Sequence, residues 1–162
     1  MAVHKLVLDD FLEEASYTLI AIHCTIEDFR LAYLLNKHLG INLTRKTSDL
    51  DFKKDKSAYS IFEWKDDKHL TTWSLVSNIC KMEETLPQVS QQSLFDTVQP
   101  VTKTFNLVPE YKRVNYFLKI DNEYNTSKEA YILNSILNVS QIATAYSVDV
   151  NQLKSKDHLI FS

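Results

Sequence analysis

Cys24 directly follows His23 at the end of an apolar run, and a thiol beside an imidazole is the smallest arrangement from which this chain could build a nucleophile and its base. Cys24 also comes just before a helix start, where unpaired N–H groups favour a thiolate. Adjacent residues of an extended strand point to opposite faces, however, so the two side chains diverge unless the strand has already broken. With the strand intact, Cys24 reads as a buried structural cysteine. No residue is expected to be catalytic on this pattern. The five histidines, His4, His23, His38, His69 and His158, show neither an i, i+4 pair nor an H-x-x-E spacing, and Cys24 and Cys80 make no C-x-x-C, so no metal ligand is expected. The single glycine, Gly40, cannot build a glycine-rich phosphate loop, which excludes nucleotide chemistry of that kind and leaves no cofactor in view.

Arg30, Asn36 and Glu110 form the best polar constellation. Glu110 is expected to pair with Arg30 or to cap a nearby turn, and Asn36 to lie buried with its amide bonded to backbone. These are fold-locking contacts before they are ligand contacts. The cations Arg45, Lys46, Lys53, Lys54 and Lys56, with Lys112 and Arg113, are interleaved with Tyr111 and Tyr116 and could stack and hold single-stranded RNA. Asp49, Asp51 and Asp55 interrupt them, the net charge is −3 and the pI is 5.9, so RNA is an unfavoured partner.

From Val108 to Tyr116 the chain reads VPEYKRVNY. This resembles the signature of the bacterial IPExxxVDY family, carried here by Val108, Pro109, Glu110, Val114, Asn115 and Tyr116. Val108 replaces the isoleucine and Asn115 the aspartate. FRLAYLLNKHLGINL and the closing LKSKDHLIF are similar to the family's pattern as well, so the resemblance spans most of the chain. It implies a cytoplasmic protein and no particular chemistry. An amide at position 115 cannot ionise, which weakens any reading that needs a carboxylate there. Pro109 fixes its own φ and drives Val108 extended, so VPE reads as a rigid bend into a strand on which Val114 and Tyr116 share a face.

The elements that would position these residues centre on Tyr17–Leu43. Tyr17–Cys24 is almost continuously apolar, as a strand covered on both faces would be. Thr25 with Asp28 three residues later predicts a capped helix, and Gly40 predicts its left-handed end. Phe29, Ala32, Tyr33, Leu35 and Leu39 gather on one side of that helix, leaving Leu31 and Leu34 to be covered by a loop or the N-terminal segment or to form a homodimer contact. Ile41–Lys46 reads as a half-exposed strand, Ser48–Ser57 as a solvated connection, and Ala58–Lys65 with Leu70–Ile79 as a hairpin joined by aromatic pairs among Tyr59, Phe62, Trp64 and Trp73. Residues 81–104 read as a long irregular connection. Arg113–Ile120 is a strand, and Thr126 with Glu129 caps a second helix whose apolar face is Ala130, Ile132, Leu133, Ile136 and Leu137. Ile142–Val150 is a last strand, with Ile142, Thr144, Tyr146, Val148 and Val150 on one face, and the apolar tail docks.

The whole predicts one α+β domain over residues 1–162. It is a two-layer sandwich, with a mostly antiparallel sheet and two helices on one face, ferredoxin-like with an inserted hairpin. Val3–Leu8 is a further strand. Met1–Glu14 carries charges where a signal peptide needs an apolar run, and no stretch is apolar enough to span a membrane, so the chain is expected in the cytoplasm. The expected role is a non-enzymatic interaction or scaffold domain with a protein partner or a second copy of itself. The alternative is a regulatory domain binding a small ligand or RNA.

Overall fold

A computed structural model describes residues 17–84, 100–121 and 126–161. The Val3–Leu8 strand lies outside them, as do His4, the middle of the 81–104 connection and the side chain of Thr126 on which the predicted cap depends. Strand β1 (Tyr17–Cys24) leads into helix α1 (Asp28–Leu39), and the short β2 (Thr44–Arg45) follows. β3 (Leu50–Phe52) pairs with β4 (Ser57–Tyr59), and β5 (Ile61–Asp66) with β6 (Thr71–Ser77). β7 (Ile79–Glu84) pairs with β8 (Val101–Asn106) before β9 (Tyr116–Asp121), α2 (Thr126–Leu137) and β10 (Ile142–Ser147). The main sheet runs β10-β1-β9-β6-β5-β2, antiparallel throughout. β1, α1 and β6 bracket β9, while β9, α2 and β10 bracket β1. Two split β-α-β units therefore interlock, the ferredoxin-like arrangement, and the β5–β6 hairpin extends one edge of it.

Both helices pack on one face. Ile20, Ile22 and Cys24 of β1, Leu118 and Ile120 of β9, and Leu75 of β6 meet Leu31, Ala32 and Leu35 of α1 and Ile132 and Ile136 of α2. The other face is not open to solvent, as a two-layer sandwich implies. Leu19, Ala21, Val76 and Phe117 are covered by Tyr59 of the β3–β4 hairpin, by Leu107, Val108 and Val114, and by Val148, Val150, Leu153 and Leu159 of the chain's end. A third, irregular layer thus builds a second core, which is why β1 is apolar on both sides.

Several expectations need correction. α1 starts at Asp28, with Glu27 as its first cap and no side-chain cap bond, so Thr25 does not cap it. The chain needs Thr25 and Ile26 to leave the sheet, and the Ile26 carbonyl is held there by the Tyr116 hydroxyl at 2.8 Å. The buried stripe of α1 is Leu31, Ala32 and Leu35, with Leu34 half-buried, while Phe29 and Tyr33 are 58% and 65% exposed. The helix is turned by roughly 60° from the predicted face. Leu31, with no exposed surface, can form no dimer contact. Residues 48–57 hold a hairpin, turned at Lys56 with φ 59°, and not a bare connection. Tyr59 belongs to that hairpin and packs edge-on against Phe52, so it leaves the β5–β6 aromatic pairing, in which Trp64 and Trp73 do face each other at 6.3 Å. Both ends of the 81–104 connection form the β7–β8 ribbon. On α2, Ala130 and Leu137 are exposed and Ile132 and Ile136 carry the face. A register shift at His23/Cys24 turns Ile142 and Ala145 inward and leaves Thr144 and Tyr146 outward, against the predicted alternation.

Gly40 ends α1 with φ 66° and ψ 36°, its N–H donating to the Asn36 carbonyl at 3.0 Å. No atom lies within 4 Å of where a Cβ would stand, so only backbone strain opposes a side chain there. Gly40→Ala is expected to lower stability by about 1 kcal/mol, read as a shift in the urea midpoint.

Candidate functional site

The VPEYKRVNY segment is a turn bolted to the sheet. Val108 is extended and buried, Pro109–Tyr111 makes one 3-10 turn, and Tyr111 and Val114 each donate an N–H to the carbonyl three residues back. Val114 enters the irregular-layer core whereas Tyr116 packs toward the helices, so the two do not share a face. The strand begins only at Tyr116, and the chain before it is not yet in the ladder.

The bolt is Asn78, between β6 and β7, with no exposed surface. Its Oδ1 accepts from Val108 N at 2.8 Å, and its Nδ2 donates to the Tyr111 and Val114 carbonyls at 2.8 and 2.9 Å. Its own N–H donates to the Asn115 carbonyl, and its carbonyl accepts from Leu107 N, both at 2.9 Å. A segment without a regular ladder still has to satisfy its buried backbone groups, and one amide does so here at three points. Sequence reasoning missed Asn78, because a buried asparagine has no spacing pattern that marks it.

Glu110 and Asn115 are engaged in the same way. Glu110 caps the chain's last turn: its carboxylate accepts from Lys154 N at 2.8 Å, Ser155 N at 3.2 Å and Ser155 Oγ at 2.8 Å. Burial pushes this carboxyl up, but the bonds from Ser155 and Lys154 together outweigh it and hold the group below its ordinary value. Such a carboxylate stabilises the fold above the ordinary glutamate pKa of ~4.3, and the benefit is lost as pH falls through the lower folded value. Glu110→Gln is therefore expected to lose about 1 kcal/mol near pH 7, a modest figure because the site is partly solvated. The gap to wild type should close toward pH 3 in urea titrations. Asn115 Oδ1 accepts from Cys24 N at 3.1 Å, and its N–H donates to the Ile22 carbonyl at 3.1 Å. A carboxylate could accept the first bond equally well. Asn115→Asp is expected to stay within about 0.5 kcal/mol of wild type, with no midpoint change on adding magnesium or zinc.

The predicted constellation is not assembled. Arg30 is exposed on α1 above one face of the sheet, while Glu110 is spent on the chain's end at the other. Asn36 stays within its own neighbourhood, donating to the Leu43 carbonyl at 3.1 Å and accepting from Leu43 N at 2.7 Å. Cys24 and His23 diverge. The thiol is buried, which pushes it up and disfavours a thiolate, and the imidazole bonds Tyr146 Oη at 3.0 Å on the opposite side. The aromatics of the basic stretch are occupied too. Tyr111 packs edge-on against Phe117, and the Tyr116 hydroxyl, pushed up to about 12 mainly by burial, donates to Ile26. Arg45 pairs with Asp49, and Lys46 with Glu63 at 3.5 Å. No trio of His, Cys, Asp or Glu among the described residues is grouped to hold a metal ion.

Beside the bolt lies a cavity of about 370 Å³ between the β3–β4 hairpin, the end of β8 and the last 3-10 turn. Phe52, Tyr59 and Leu107 give it apolar walls, and Lys54, Asp55, Ser57, Asn106 and His158 its polar groups. Leu107 hangs from the Asn78 carbonyl, and His158 Nδ1 donates to the Leu107 carbonyl at 2.7 Å. A carbonyl only accepts, so Nδ1 carries the proton and a neutral His158 keeps Nε2 as an acceptor. Ser57 Oγ donates to Asp55 Oδ1 at 2.6 Å, and this bond above all holds the Asp55 carboxyl below its ordinary value. With the serine proton committed to Asp55 and Nδ1 to a backbone carbonyl, Ser57 and His158 are not arranged as nucleophile and base.

Comparison with protein-family models, with curated proteins and with solved structures finds no match to this chain.

Proposed function

We propose that this chain is a non-enzymatic cytoplasmic binding domain of the kind the IPExxxVDY resemblance implies, and that the Phe52–His158 cavity is its small-ligand site. The observation that supports this reading is a contrast in how polar groups are spent. In the 108–116 turn, Asn115 Oδ1 accepts from Cys24 N, and the exposed Glu110 accepts from Lys154 N and Ser155 Oγ, leaving the solvent-facing Lys112 and Arg113 as the charged side chains without a bond to a described residue. In the cavity, Lys54 and His158 Nε2 stand beside apolar walls without a hydrogen bond to any described residue. Its size falls at the small end of the roughly 300–1,000 Å³ typical of ligand pockets. No described helix is long and apolar enough to cross a membrane.

Ligand-detected NMR against a library of small polar aromatics tests this. Compounds whose signal is lost in Phe52→Ala but kept in Lys112→Ala support the cavity as the site. An empty screen, or binders indifferent to Phe52→Ala, counts against it. A protein-partner reading has one surface in its favour, Phe29 and Tyr33, a turn apart and exposed on α1. Light scattering with Phe29→Ser and Tyr33→Ser tests it, since a mass above one chain that drops in these variants supports self-association there.

A further inference from the structure

We infer that the cavity's ligand is a small zwitterion with an apolar body, a free α-amino acid carrying an aromatic or large aliphatic side chain. This rests on the reading of the cavity as the ligand site. Lys54 and Asp55 are consecutive in the β3–β4 turn and both line the cavity, so its rim offers one cation and one anion side by side. Asp55 is fixed in place: Oδ1 accepts from Ser57 N at 3.0 Å and from Ser57 Oγ at 2.6 Å. Its Oδ2 has no hydrogen bond to a described residue and is left to accept from an ammonium. Lys54 has no ion pair with a described residue, and its flexible stem lets it follow a carboxylate. A ligand bearing only one charge would meet a like charge next to its partner, whereas an α-amino acid presents both signs at the spacing of one carbon.

The interior suits the remainder of such a molecule. Phe52 meets Tyr59 edge-on at 5.8 Å and His158 edge-on at 5.0 Å, so the three rings make one packed aromatic wall, to which Leu107 adds. Planar and branched apolar groups gain most from such walls, through burial and through edge-to-face ring contact.

Isothermal titration of the wild-type protein with L-phenylalanine, L-tyrosine and L-leucine, and with 3-phenylpropionate and phenethylamine as single-charge analogues, tests the inference. At least one amino acid is expected to bind roughly tenfold or more tightly than either analogue, the fold-change that ~1.4 kcal/mol produces. Lys54→Met should erase the advantage over phenethylamine, and Asp55→Asn the advantage over 3-phenylpropionate. An analogue that binds as tightly as the amino acids overturns the zwitterion and leaves the cavity's role standing. So does binding of some other library compound when no amino acid binds. If nothing binds in the cavity at all, the reading beneath it fails too. The wild-type comparison needs no variant, so a substitution that unfolds the chain leaves the test intact.

Discussion

Asn78→Ala is expected to lower stability by about 4 kcal/mol, the largest loss from any polar substitution considered. The change leaves the Val108 N–H and the Val114 carbonyl buried without a partner, each worth about 1–3 kcal/mol, and leaves the Tyr111 carbonyl only the Val114 N–H, with partial relief as the turn loosens and water enters. Urea denaturation measures it. Asn78→Asp separates the hydrogen bonds from packing, because it keeps the volume and the acceptor but replaces the amide donor with a group that is anionic near pH 7. Facing two carbonyls in a buried site, that carboxyl should have a raised pKa in the fold. The folded state then binds more protons than the unfolded one, so stability falls as pH rises through that range. Asn78→Asp should be distinctly less unstable at pH 5 than at pH 7. A loss under 1 kcal/mol for the alanine variant would mean the turn is held by something else.

Lys119→Ala is expected to cost about 3 kcal/mol and to release the chain's end. Lys119 is 7% exposed, on the irregular-layer face of β9. Its Nζ donates to the Leu159 carbonyl at 2.8 Å, lies 3.4 Å from Asp121 Oδ1, and sits 4.6 and 5.0 Å from the ring centres of Tyr17 and Phe161. A charged hydrogen bond contributes about 1.5–3 kcal/mol, and each desolvated cation–ring contact about 1 more, against the cost of burying the ammonium. Lys119→Met keeps the stem and should lose about half as much. Limited proteolysis reads the second effect, with cleavage after residue 150 accelerated in the alanine variant. Equal stability of wild type and Lys119→Ala would show that the end is docked by Leu153 and Leu159 alone.

The parts of this fold that repeat a period could be read from the chain. β1 is apolar on both sides, Gly40 ends a helix, and Trp64 and Trp73 face each other across a hairpin, each following from a local rule. The predicted α1 face includes Phe29 and Tyr33 because they are bulky and apolar, whereas the stripe that α1 turns to the sheet and to α2 is Leu31, Ala32 and Leu35. The β3–β4 hairpin was hidden by the charges of its own turn, although Leu50 and Phe52 alternate. Asn78 could not be found that way, and for Glu110 the chain offers a capping role as one of two alternatives but not Ser155 as its partner. Their partners lie 30 or more positions off, and a residue's type says nothing about which distant backbone it meets.

A titration of ¹⁵N-labelled protein with the tightest small ligand, followed through its amide spectrum, tests most directly whether the 108–116 turn is framework and the cavity the working surface. The shifts are expected to concentrate at Phe52, Asp55, Ser57, Leu107 and His158, with Lys112, Arg113 and Tyr146 on the outer side of the turn unmoved. A map centred on Lys112, Arg113 and Tyr146, with the cavity residues silent, would contradict the account.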